Sequence, residues 1–157
     1  MKKLFIIFIG LFISFSVYSQ SADVITQILD KTEVTFGDVC YLSAVKQGFV
    51  GDDATYEEAI NAVYENEQIS YLAGKDEIIP LIDITYLFSF MWDIKGGLFY
   101  TITKGSPRYV FKQFQSDSVI GYDCEPKDCF SGMQLLRLFT SCEKKYGEYV
   151  IQNGGEQ

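Results

Sequence analysis

The residues best suited to chemistry in this chain lie in one stretch, Gly96-Gly-Leu-Phe-Tyr-Thr-Ile-Thr-Lys-Gly-Ser-Pro-Arg-Tyr109. It combines flexible glycines, two cations (Lys104 and Arg108) in an acidic protein, and Tyr100 and Tyr109. Arg108 offers a planar fork for a carboxylate, and the tyrosines offer faces for a sugar or a partner, so the stretch reads as a ligand or partner contact. The plainer reading is that Ser106-Pro107 caps the next helix, with Arg108 on its exposed face. Trp92, in the apolar run Tyr86-Leu-Phe-Ser-Phe-Met-Trp92, is a further partner candidate if that helix is not buried centrally.

The chain has no histidine, which removes Ser-His-Asp and Cys-His dyads, His-bearing zinc sites and imidazole pH switches. Paired acids at Asp52/Asp53, Glu57/Glu58 and Asp76/Glu77 raise the alternative of a carboxylate-based hydrolase of cell-wall glycan. Adjacent acids, however, diverge on a helix and normally mark loops or first turns. Gly51-Asp-Asp lacks the order of a calcium loop, and Gly96-Gly97 lacks the spacing that cradles phosphate. The expectation is a non-catalytic protein without metal or cofactor. A net charge of −8 also argues against nucleic acid as a partner.

Lys2 and Lys3 followed by an uncharged run from Leu4 to Val17 have the order of a secretory signal, with cleavage expected after Ser19. The run is short for a bilayer span. Residues 1–19 are therefore expected to direct export to the periplasm or cell envelope, peripheral to the membrane at most. In an exported chain, the cysteines suggest a disulfide. Cys40 reads as a small buried hydrophobe, whereas Cys124 or Cys129 is expected to bridge Cys142 and fasten the last helix to its preceding loop. The irregular spacing of these three makes a poor metal site.

The elements that must position these residues read as a single mainly α domain over residues 20–157. A short helix covers Asp23 to Leu29. Thr35-Phe-Gly-Asp38 and Thr55-Tyr-Glu-Glu58 each open an apolar-periodic run as a capping box, giving helix, loop, helix over 34–70. The text then repeats: Val34 to Leu42 aligns with Ile79 to Leu87, Asp38, Tyr41 and Leu42 recurring as Asp83, Tyr86 and Leu87. A second unit over 79–121 is expected, with a short β excursion near 98–103. A partial third copy over 130–142 opens at Ser131-Gly-Met-Gln134.

Such a unit, a capped helix, a loop with Gly and Asp, and a second helix, resembles the S-layer homology domain, which bacteria place in tandem on exported proteins. The likeness covers residues 34–70 and 79–121. In that family an Arg in a Thr-Arg-Ala-Glu stretch grips an anionic cell-wall polymer. Here Phe36 and Leu81 hold the matching positions and cannot pair with an anion, so the resemblance implies the fold more than the site. Taken together, these readings point to an exported binding or structural module for an envelope protein or cell-wall glycan, with a homo-oligomer as a further possibility.

Overall fold

The computed structural model describes residues 17–94, 102 and 105–153, with the side chains of residues 22–94, 102 and 105–147. The chain is mainly α. Among the described residues there are six helices: α1 Val17–Leu29, α2 Phe36–Lys46, α3 Tyr56–Glu65, α4 Leu81–Met91, α5 Pro107–Ser116 and α6 Gly132–Asn153. α2 packs on α3, α4 on α5, α2 on α4, and α1 on α6. None of the described helices is long and apolar enough to cross a membrane. α1 continues through the cleavage position expected after Ser19. The excursion expected at 98–103 lies outside the described residues except for Ile102, which is exposed.

Local chemistry explains where the helices begin. Thr55 accepts the Glu58 N–H at 3.2 Å while the Glu58 carboxylate accepts the Thr55 N–H at 2.8 Å. Ser131 and Gln134 make the same reciprocal pair at 3.4 and 2.9 Å. α5 starts with Pro107 in its first turn, where a missing N–H costs nothing. α2 stops at Gln47, followed by Gly48 at φ +72°, a conformation glycine adopts freely.

The N-termini of α2, α4 and α6 solve a shared problem, because the first N–H groups of a helix have no partner within it. Phe36 and Gly37 donate to the carbonyls of Glu77 and Lys75 at 2.7 and 3.0 Å. Leu81 and Ile82 donate to those of Asp128 and Pro126 at 2.8 and 3.0 Å. Gly132 donates to Lys31 at 2.9 Å, which closes a ring. Each helix start is thus satisfied by the segment that precedes another. Isolated bridges Thr35 with Ile78 and Pro80 with Cys129 belong to the same ring. At Gly132 a Cβ would fall onto the Ile28 carbonyl, so only glycine lets the end of α1 approach.

The core lies between α2 and α4. Every residue from Phe36 to Ala44 is buried, including Asp38, and α4 buries Leu81, Ile84, Thr85, Leu87, Phe88, Ser89 and Met91. A helix apolar on several faces has to be covered on several faces, and α3, α5 and α6 supply Val63, Phe114 and Leu135, each fully buried.

The expected disulfide is not formed: all four cysteines are free. Cys142 is buried on α6, Cys129 is exposed and Cys124 half-buried. The start of α6 is fastened instead by the Gly132 N–H to the Lys31 carbonyl. Cys40 is buried as expected, and burial pushes its thiol up to about 12.

Candidate functional site

The segment after α3 crosses the start of α2, held by the hydrogen bonds from Phe36 and Gly37. Gly37 permits this approach, since a Cβ there would lie 2.9 Å from the Lys75 carbonyl oxygen. Tyr71, carried in this segment, stacks on the buried Phe36 with ring centroids 5.9 Å apart and planes at 26°. Its other face is open: Tyr71 is 52% exposed and Leu72 56%, and Ile78 on the same segment is 47% exposed. Three large apolar side chains thus stand in water along eight residues of chain.

Asp83 stands in the first turn of the neighbouring helix, α4, at the position that Asp38 takes in α2 and Gln134 in α6. Asp38 Oδ2 accepts the N–H and hydroxyl of Thr35, at 2.8 and 2.9 Å. Asp83 has no such role, because Pro80 precedes α4 and carries no N–H. Its carboxylate makes no hydrogen bond or ion pair among the described residues. Half-burial without a partner raises its carboxyl above the ordinary range. Burial also raises the Tyr71 phenol, with smaller contributions from the negative charges of Asp83 and Glu77 and from Cys40. An exposed aromatic face flanked by two carboxylates can stack on an apolar or sugar surface and accept hydrogen bonds from hydroxyls.

Several other carboxylates are occupied. Asp38, fully buried, receives Lys31 at 2.7 Å and the Tyr56 hydroxyl at 2.8 Å. Glu57 pairs with Lys75 at 2.7 Å, and Glu58 caps α3. Asp117 accepts the Tyr146 hydroxyl at 2.7 Å. No group of three or more Cys, Asp or Glu able to hold a metal occurs among the described residues.

Of the residues singled out in the sequence, Tyr100 and Lys104 lie outside the described residues. Arg108 is exposed in the first turn of α5, and Tyr109 beside it is half-buried. Trp92 is buried, at 3% exposed, and belongs to the core rather than to a partner surface. Its indole N–H donates to Glu143 Oε2 at 2.9 Å, and Lys46 approaches the same oxygen at 2.7 Å while lying 5.6 Å over the ring. Phe88 and Phe139 close the other sides at 5.6 and 5.1 Å. Phe36 and Leu81, which stand where the S-layer homology motif carries its Arg, are both core residues.

Sequence reasoning missed Tyr71 and Asp83 as a pair. Asp83 left a readable signal, an acid three residues after a proline that cannot close a capping box. Tyr71 left none, since its place depends on how residues 71–78 fold back onto α2. Comparison with protein-family models, with curated proteins and with solved structures returned no match.

Proposed function

We propose that the chain is an exported, non-catalytic module that binds another component of the bacterial cell envelope, and that this component is a glycan seated on Tyr71 and Asp83. The observation that carries the reading is the state of Asp83: a half-buried carboxylate, raised by desolvation and without a partner, beside an exposed tyrosine. Such a group costs stability in the free protein, and a ligand hydroxyl would offset that cost. The export signal at residues 1–19 supports the location. The cyclic hydrogen bonding of the α2, α4 and α6 starts supports descent from repeated units like those of S-layer homology proteins.

The test is co-sedimentation of the purified chain with isolated peptidoglycan and its attached polymers. Retention that falls about tenfold in Asp83→Ala and Tyr71→Ala supports the reading, one tenfold step corresponding to about 1.4 kcal/mol. Equal retention of both variants, with the fold intact, overturns it. The alternative is a carboxylate-based glycan hydrolase. It is favoured by the same Asp83, since an acid raised above its ordinary range is suited to donating a proton. Release of soluble glycan fragments by the parent but not by Asp83→Asn would select that alternative.

A further inference from the structure

A second site lies between the α5–α6 linker and α6. It is an open hollow of about 200 Å³. Its apolar floor comes from Val119, Phe130 and Leu138, and its rim from Gln134, Arg137 and Ser141 of α6. The spacing of Gln134, Arg137 and Ser141 puts all three on one side of the helix.

Two features set this hollow apart in a chain with 13 basic and 21 acidic residues. No carboxylate lines it. The Arg137 guanidinium makes no ion pair or hydrogen bond among the described residues. The residues one helical turn away, Met133, Gln134, Thr140 and Ser141, include no acid to neutralise it. Gln134 gives its oxygen to the Ser131 N–H at 2.9 Å, and its amide nitrogen has no hydrogen bond among the described residues. Asp117, at the end of α5, is committed to Tyr146 and to Gln113 at 3.0 Å. An exposed guanidinium, an amide donor and a hydroxyl therefore border an apolar floor.

We propose that this hollow binds a small amphiphilic carboxylate, its apolar body on Phe130 and Leu138 and its carboxylate on the Arg137 fork. Arg137 stands five residues beyond Gly132, the position matching the S-layer homology Arg, and the site is separate from Tyr71 and Asp83. A single cation fits a monoanion, and a hollow of this size holds an aromatic ring with a short acid arm.

The test titrates the purified chain with 3-phenylpropionate, 3-phenylpropanol and inorganic phosphate, read by amide chemical shifts. The expected result is saturable binding of phenylpropionate at about millimolar concentration or below, with shifts centred on Phe130, Leu138 and Ser141. Affinity should fall at least tenfold in Arg137→Gln and less in Arg137→Lys, and should not change in Lys112→Gln, which removes a cation elsewhere. The proposal is overturned if phenylpropionate does not saturate, if the alcohol or phosphate binds as tightly, or if Arg137→Gln binds like the parent.

Discussion

Asp38 and Asp83 occupy the same position in the first turns of α2 and α4, yet one is sealed in a hydrogen-bonded cluster and the other is half-exposed without a partner. The difference starts at the cap: Thr35 presents an N–H and a hydroxyl to its aspartate, and Pro80 has neither. Asp38 also meets Lys31 from the α1–α2 linker and Tyr56 from α3. Its carboxylate therefore ties three segments together, while that of Asp83 ties none.

The raised carboxyl of Asp83 has a defined pH signature. A folded-state pKa above the ordinary 3.8 means that the folded chain holds this proton more tightly than the unfolded chain. The resulting stabilisation is complete below the unfolded value and is lost as pH rises through the folded one. Asp83→Asn should therefore gain stability relative to the parent across that interval, and the difference should stay constant at higher pH. Denaturant midpoints measured from pH 3 to pH 8 check this.

Replacing Asp38 should be costly where replacing Asp83 is not. Asp38→Ala strands Lys31 and the Tyr56 hydroxyl and is expected to cost about 3 kcal/mol, a usual figure for removing one partner of a buried pair. Tyr56→Phe removes a single hydrogen bond and should cost about 1–2 kcal/mol. Urea unfolding of the two variants against the parent measures both.

Gly132 and Gly74 form a matched pair of tests. A Cβ at Gly132 meets the Ile28 backbone, which cannot yield as a side chain would, whereas at Gly74 it meets nothing within 4 Å. Gly132→Ala should lose about 3 kcal/mol or more, or fail to fold, and Gly74→Ala should stay within about 0.5 kcal/mol of the parent. Thermal melts of the pair distinguish them.

The cysteines predict a simple reactivity pattern. Cys129 and Cys124 should react with a thiol reagent in the folded chain, and Cys40 and Cys142 only on unfolding, since burial raises both of the latter thiols. Adding reductant should leave the melting temperature unchanged.

Glu143 is held below the ordinary carboxylate range by Lys46 first and the Trp92 indole second. Its contribution is present above the ordinary Glu value and is lost as pH falls through the lowered one. Because the Glu143 side chain is half-exposed, that contribution should stay below about 1 kcal/mol. Trp92, the only tryptophan, reports the transition by its fluorescence.

What the sequence revealed was local. Thr55 with Glu58, Ser131 with Gln134, and Ser106-Pro107 marked helix starts because the groups that satisfy those ends lie within four residues. What it concealed depends on groups brought from afar. Glu143 comes to Trp92 from 51 residues away and to Lys46 from 97, which turned a candidate partner residue into a core one. Asp38 read as a helix-start acid, and its burial follows from Lys31 and Tyr56 closing over it. The cysteine staple failed because spacing along a chain says nothing about the direction of side chains on a helix. The glycan surface was sought around Arg108, while the Tyr71 and Asp83 pair depends on a loop folding back.

The most direct test of the binding account is amide and side-chain chemical-shift mapping of the purified chain with solubilised peptidoglycan fragments. The account predicts saturable shifts centred on Tyr71, Leu72, Ile78 and Asp83, with the affinity lowered about tenfold by Asp83→Ala. Saturable shifts centred elsewhere, or none at these four residues, would contradict it.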